Sequence, residues 1–232
     1  ETLATEFSIS REEQDRYALA SNQRASRAWD EGRFAREVVA VTVGEGKRRV
    51  TVARDEHFHA GASLDEMAKL RPVFRKDGSI TAGNASAISD GAAAIVVLSD
   101  VAAKRHGVTP QAELLGAVSV GVDPARMGLG PVPAVRMLLA RHNLKLEQID
   151  VIELNEAFAS QVLACDRELH FDRERLNVNG GGIALGHPTG CSGTRIVVTL
   201  LNELERVRGR YGVATLCVGG GQGMAVLVER AG

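Results

Sequence analysis

Between Asn177 and Gly193 the chain reads Asn-Val-Asn-Gly-Gly-Gly-Ile-Ala-Leu-Gly-His-Pro-Thr-Gly-Cys-Ser-Gly. Directly afterwards Ile196, Val197, Leu200, Leu201, Leu204 and Val207 recur at helical spacing. Glycines let a backbone turn tightly and come close to a ligand, because no Cβ stands in the way. The stripe that follows is that of an amphipathic helix, and it reads as core. His187 stands inside the glycine stretch, pinned by Pro188. An imidazole can take or give a proton near neutral pH. On its own, a glycine-rich loop with a packed histidine explains the stretch equally well.

Two further stretches change that balance. Asn155-Glu156-Ala157-Phe158 follows the apolar run Ile149 to Leu154, and Cys217-Val218-Gly219-Gly220-Gly221-Gln222-Gly223 follows Gly212 to Leu216. Each puts a reactive or polar side chain at the end of a buried strand, where open α/β sheets bind ligands. A histidine, a cysteine and an asparagine meeting there suit acyl or carbon–carbon chemistry on a carbonyl. Cys217 would act as base or nucleophile if its neighbours lower its pKa. The Gly219 to Gly221 backbone can aim N–H groups at a developing oxyanion, and Asn155 can fix a water or a carbonyl oxygen. Neither glycine cluster has the spacing of a dinucleotide-binding turn or a phosphate loop.

At 232 residues the chain holds one large domain, or one domain with a smaller companion. An apolar content of 44% supports a real core. A net charge of −1 gives no electrostatic case for nucleic acid or an anionic membrane, and 4% aromatics make no base-stacking platform. No apolar run approaches the roughly 20 residues that span a bilayer. The three cysteines, Cys165, Cys191 and Cys217, are too few and too scattered for a disulfide scaffold or a zinc site. Their odd number, with no signal peptide, points to a reducing cytoplasm. The chain starts at Glu1 and enters a helical pattern almost at once, which reads as the middle of a longer polypeptide.

Along the chain, Ser10 and Glu13 form a capping box for a helix that runs to about Glu31 and stops at Gly32. Glu37 to Val43 and Arg49 to Val52 read as a hairpin, and Ser63 to Leu70 as a short helical turn. Residues 1–88 are expected to form a cover, with too little apolar periodicity for a core of their own. Residues 89–232 are expected to form an α/β domain with a mixed sheet. Its first strand is expected at Ala92 to Leu98, apolar without alternation and so buried on both faces. A helix after Ser99, a strand at Glu113 to Val120, a helix from Pro131, a helix from about Ala157 to Leu169 and two closing antiparallel strands complete the pattern.

Taken together, Asn155-Glu156-Ala157-Phe158, the Gly-Gly-x-x-Ala-Leu-Gly-His-Pro-x-Gly around His187, and Cys217-x-Gly-Gly-Gly-x-Gly resemble the thiolase family. Thr81-Ala82-Gly83-Asn84-Ala85-Ser86 and Ala68-Lys69-Leu70-Arg71-Pro72 resemble it as well, so the likeness covers nearly the whole chain. The resemblance implies a layered α/β/α half with a mixed sheet, preceded by part of a covering loop domain. It implies an acyltransferase that cleaves 3-ketoacyl-CoA or joins two acyl-CoA molecules, in a homo-oligomer. Coenzyme A would be substrate or product, with no permanently bound cofactor.

The same resemblance assigns roles to residues. His187 would activate a nucleophilic cysteine and help bind the thioester oxygen. Cys217 would move the Cα proton. Asn155 would hold a water that completes one oxyanion hole with His187, and the Gly219 N–H would serve a second. Ser86 and the Ala82 to Gly83 backbone would contact the pantetheine arm, with Phe74, Met127 and Phe158 lining its tunnel. The family's nucleophile lies in an N-terminal half, in a Cys-x-Ser-Gly setting with no counterpart here, while Cys165 and Cys191 suit packing. The chain is therefore expected to be a covering-loop remainder plus the C-terminal half, inactive without a missing N-terminal half and exposing an apolar face. The alternatives are a non-catalytic CoA-binding or scaffold module, and a stand-alone acyltransferase with Cys217 as nucleophile.

Overall fold

Two apolar layers, one on each side of a four-stranded sheet, organise the structure, a computed structural model that describes residues 1–232. The strands are β3 (Ala112–Gly121), β4 (Val151–Leu154), β5 (Tyr211–Val218) and β6 (Gln222–Arg230), and their order across the sheet is β3-β6-β5-β4. β4 and β5 run parallel, whereas β6 is antiparallel to both of its neighbours. Alternation along each strand divides the core. Ile152, Leu154, Val213 and Leu227 pack with Val135, Leu138 and Val162 of α5 (Pro131–Arg141) and α6 (Ala159–Leu169). Val151, Ala214 and Val228 meet Ile196, Leu200 and Leu204 of α8 (Ser192–Val207) on the opposite face. Each such side chain, fully buried, contributes about 1.5–3 kcal/mol. The expected α/β/α layering with a mixed sheet is the one observed.

The N-terminal region is fastened to this core. After α1 (Thr2–Glu6), the Ser10 hydroxyl accepts from the Glu13 N–H and the Glu13 carboxylate accepts from the Ser10 N–H, opening α2 (Arg11–Asp30). Gly32, at φ +70°, lets the chain leave the helix. Leu3, Ile9, Tyr17 and Ala18 belong to the same apolar cluster as α5 and α6. The remaining elements here are small: β1 (Val41–Val43) pairs antiparallel with β2 (Val50–Val52), and α3 (Leu64–Ala68) packs on α2. α4 (Asp100–His106) is capped by the Ser99 hydroxyl.

The strand expected at Ala92 to Leu98 does not form. That segment carries no regular secondary structure, and its side chains are exposed, Val96 at 83% and Val97 at 74%. The physical reason is pairing: a strand needs a neighbour for its N–H and C=O groups, and the sheet here is completed by β3 at one edge and β4 at the other. An apolar run alone does not supply that partner. With Ile88 and Val101 it makes an exposed apolar tract.

Candidate active site

The carboxyl ends of the parallel pair β4 and β5 carry the polar residues. Asn177 closes β4: its side-chain Oδ1 accepts from the Leu154 N–H and its Nδ2 donates to the Leu154 carbonyl, both at 2.8 Å. The side chain thus replaces the missing strand neighbour and turns the chain into Asn155, whose own N–H donates to the Thr215 carbonyl at 3.0 Å.

Glu156, next in line, is wholly buried and gathers four donors. Its Oε1 accepts from the Tyr17 hydroxyl at 2.8 Å and from Asn177 Nδ2 at 3.1 Å. Its Oε2 accepts from the Ser21 hydroxyl at 2.7 Å and from the Ile183 N–H at 3.2 Å. A buried carboxylate is tolerable only when its lone pairs are occupied in this way. The carboxylate ties together α2, the Asn155 turn and α7 (Gly182–Leu185) inside the glycine stretch. A Cβ on Gly181 would come within 2.4 Å of that carboxyl group, so glycine there is a matter of space.

From α7 the chain turns at Gly186, φ +90°, and delivers His187, whose backbone N–H donates to the Ala87 carbonyl at 2.9 Å. Its Nδ1 lies 2.6 Å from the Ser192 hydroxyl, and that hydroxyl donates to the Pro188 carbonyl at 3.1 Å. With its one proton committed to Pro188, Ser192 accepts from His187, so the hydrogen-bond network assigns the ring proton to Nδ1. The Nε2 lone pair then faces Asn155 Nδ2 at 3.3 Å. Burial first, and then the nearby Arg195 cation, hold the His187 pKa below its ordinary value, so the ring is neutral at pH 7.

Cys217 stands near the end of β5, beyond the Thr215 that binds Asn155. It is buried, and no hydrogen bond joins its thiol to His187 or Asn155. Burial pushes the thiol up to about 11. Cys165, inside α6, donates to the Gly128 carbonyl, and its pKa too is raised by burial. Gly219 is exposed in the turn between β5 and β6, where Gly220 and Gly221 take φ of +87° and +89°. Direct side-chain contact therefore joins His187 with Asn155, while Cys217 and Gly219 come from the adjoining strand end.

The Thr81 to Ser86 stretch threads alongside. Asn84 is buried and donates to Asp15 of α2 at 2.8 Å, while its Oδ1 accepts from the Thr81 N–H at 2.8 Å. This leaves Ala82 exposed and Gly83 half-buried against Leu70. The Ser86 N–H donates to the Ala157 carbonyl at 3.0 Å, and Ala85 bridges Phe158. Phe74 meets Phe158 edge to face, with ring centroids 5.9 Å apart, and is itself largely exposed. Met127, half-buried, lies on the turn Pro124–Leu129, which packs on the helix that Phe158 caps. Ser192, Asn177, Glu156, Tyr17 and Ser21 were not legible as parts of this arrangement. The one available signal was position, since Asn177 and Ser192 lie within the glycine-rich stretch itself and Glu156 directly follows Asn155.

Comparison with known proteins is consistent with this geometry. Residues 108–230 match the family model for the thiolase C-terminal domain, and residues 1–101 match the model for the thiolase N-terminal domain. The chain is 52% identical, over 99% of its length, to a β-ketoadipyl-CoA thiolase of Pseudomonas aeruginosa, of which it covers 58%. It is 48% identical to an acetyl-CoA acetyltransferase of Shinella zoogloeoides, again covering 58% of that protein. The crystal structure of human mitochondrial 3-ketoacyl-CoA thiolase superposes with a TM-score of 0.97 at 47% identity, over 99% of this chain and 58% of that one. The same human enzyme in complex with CoA gives 0.96 at 47% identity, over 99% and 57%. The chain thus spans a little over half the length of these relatives.

These matches correct one expectation. A covering-loop remainder joined to a C-terminal half, with the N-terminal half missing and activity lost with it, does not agree with residues 1–101 matching the N-terminal domain model. Short loop and helix segments carry few motifs of their own, so the sequence hid that membership. Matched by both domain models and close to half identical to such relatives along 99% of its length, the chain belongs to the thiolase family.

Proposed function

We propose that this chain carries acid–base and oxyanion-binding groups of a CoA-dependent acyl transfer: cleavage of a 3-ketoacyl-CoA by CoA, or the reverse condensation of two acyl-CoA molecules. The observation that carries the reading is the His187 Nε2 to Asn155 Nδ2 contact at 3.3 Å, with the far side of the ring anchored on Ser192. A neutral imidazole with a free lone pair takes the proton of the attacking thiol, that of CoA or of the nucleophilic cysteine the resemblance implies. As its sulfur bonds to the 3-keto carbon the imidazolium and an Asn155-held water stabilise the oxyanion, and the C2–C3 bond then breaks to release the acetyl-CoA carbanion. The Gly219 N–H serves the second carbonyl. Cys217, a thiol at neutral pH, donates the proton that a leaving carbanion needs and recovers it from Cα in the opposite direction.

Coenzyme A enters as substrate and leaves as product. Its pantetheine arm runs over Ser86 and the Ala82 to Gly83 backbone, beside Phe74, Met127 and Phe158. Residues 1–88 provide this cover, and residues 89–232 provide the acyl-transfer groups. The working form is a homo-oligomer, a reading supported by a hairpin whose valines are all solvent-exposed. Three free cysteines suit a reducing cytoplasm, and no helix is long and apolar enough to cross a membrane.

The test is CoA-dependent loss of a 3-ketoacyl-CoA, followed by its enolate absorbance, in the wild-type chain and in His187→Ala. Turnover that vanishes in the variant supports the reading. Tight CoA binding with no turnover in the wild type would favour the non-catalytic CoA-binding alternative. A covalent acyl adduct on Cys217, seen by mass spectrometry, would favour Cys217 as nucleophile, which its buried and protonated state disfavours.

A further inference from the structure

The turn Pro124–Leu129, which carries Met127, is fastened at its two ends and held in its middle by different means. Just before it the Val122 N–H donates to the Gly221 carbonyl at 2.8 Å, and Asp123 caps it by accepting from the Ala125 N–H at 2.9 Å. Just after it Gly130 lies backbone to backbone on Gly223, so that a Cβ on either residue would run into the other segment. Both ends are thus set by the glycine turn that carries Gly219. In between, the backbone departs from helical geometry at Arg126, φ −117° and ψ 26°, and contacts from outside the turn hold it. The buried Gly128 carbonyl accepts from the Cys165 thiol at 3.3 Å. The Gln161 amide donates to the same sulfur at 3.6 Å, which leaves the one thiol proton for Gly128. Burial raises the Cys165 pKa and so keeps that proton in place. Gly128 also rests on Gln161 and Leu3: a Cβ there would come within 2.8 Å of each. The Arg126–Glu6 ion pair reaches the turn too, but both partners are exposed, and such a pair contributes little.

We propose that Cys165 is a positioning residue for Met127: by donating to the Gly128 carbonyl, its thiol draws the turn onto α6 and fixes the gap between Met127 and Phe158. This role rests on the reading of those two side chains as walls of the pantetheine tunnel. Phe158 caps α6, and Cys165 lies about two turns further along the same helix. One rigid element therefore carries one wall and the group that holds the other. A methionine side chain is unbranched and adaptable, so this wall is only as well placed as the backbone beneath it. Without the thiol bond the turn keeps its two ends and loses its hold next to Met127. The tunnel loosens at one side, and binding then has to order what the thiol had held in advance. His187 and Asn155, held by Ser192 and Asn177 instead, keep their geometry.

The test takes two readings on the full chain: the Kd for CoA by calorimetry, and the ¹³C-methyl resonance of Met127, one of four methionines. Cys165→Val fills the site and lacks the donor, whereas Cys165→Ser keeps a donor. Cys165→Val is expected to shift and broaden the Met127 resonance and to raise the Kd about threefold or more, with Cys165→Ser near wild type. Where turnover is measured, the loss falls on KM, and kcat stays within about twofold. A wild type that binds no CoA would overturn the tunnel, and the Met127 resonance alone then decides the positioning. An unmoved resonance in Cys165→Val overturns the proposal, as does an unchanged Kd where wild type binds CoA. So does an equal change in Cys165→Ser, or a lowered Tm with both readings unmoved, which marks Cys165 as packing alone. Should Cys165→Val fail to fold, Cys165→Ala, which removes the donor and adds no bulk, decides by the same readings.

Discussion

The Ser192 hydroxyl sits 2.6 Å from His187 Nδ1 and passes its own proton to the Pro188 carbonyl at 3.1 Å, so one small side chain selects the tautomer of the ring. Ser192→Ala removes that anchor and leaves a buried Nδ1 proton without an acceptor. An unsatisfied buried donor costs about 1–3 kcal/mol. Acyl-transfer kcat is expected to fall about ten- to hundredfold, since 1.4 kcal/mol is roughly a factor of ten. KM and the circular dichroism spectrum are expected to stay near wild type. A KM change with kcat preserved would show that Ser192 shapes binding instead.

Glu156 gives a stability prediction. Glu156→Gln preserves shape but turns one acceptor oxygen into an amide that must face either Tyr17 and Asn177 or Ser21 and the Ile183 N–H. Either placement opposes donor to donor. A loss of about 1–3 kcal/mol is expected in urea unfolding, with Tyr17→Phe losing about 1 kcal/mol because only one donor disappears. Equal losses in the two variants would show that the carboxylate is not the hub.

Sequence reading located the strand ends and the loops on them, because their signals are local: Asn155 after an apolar run, His187 among glycines, Cys217 before a glycine turn. The capping box of Ser10 and Glu13 was legible for the same reason. Partnership was not legible. The apolar run at Ala92 to Leu98 has the composition of a buried strand, yet strand formation depends on a neighbour that composition does not name. Likewise nothing local marks Tyr17 and Ser21 of the capped helix as polar partners, and only the fold brings them to Glu156, which lies 139 and 135 residues away. Arg195 reads as one polar position on an amphipathic helix until the register of α8 over β4 puts it opposite Glu153.

The pH dependence of stability follows from the buried carboxyl groups. Burial raises Glu153 to about 8 and Glu37 to about 7, from an ordinary 4.5. Between those values the folded chain binds more protons than the unfolded one. Stability conferred by the protonated forms is therefore full below the ordinary carboxylate range and declines as pH rises toward about 8. Glu153→Gln, unable to ionise, is expected to flatten the fall in Tm between pH about 5 and about 8.5 and to exceed wild type at the upper end. An unchanged slope would mean that Glu153 is ionised in the fold throughout.

The β1–β2 hairpin supports the last prediction. Val41 pairs with Val52 and Val43 with Val50, and all four side chains remain exposed, as does Val39 at 82%. A two-stranded ribbon is marginal by itself in water, and uncharged edges with apolar side chains invite pairing with another chain. In the proposed homo-oligomer these valines lose water at a subunit contact, each contributing up to about 1.5 kcal/mol. Val41→Lys with Val43→Lys puts two charges on the ribbon. Since neither residue touches the core, the circular dichroism spectrum and Tm of the folded chain are expected to hold. The mass by light scattering is expected to drop toward that of one chain at concentrations where wild type associates. If association persists undiminished, the contact between subunits lies on another surface, and the exposed tract at Ile95 to Leu98 becomes the one to substitute next.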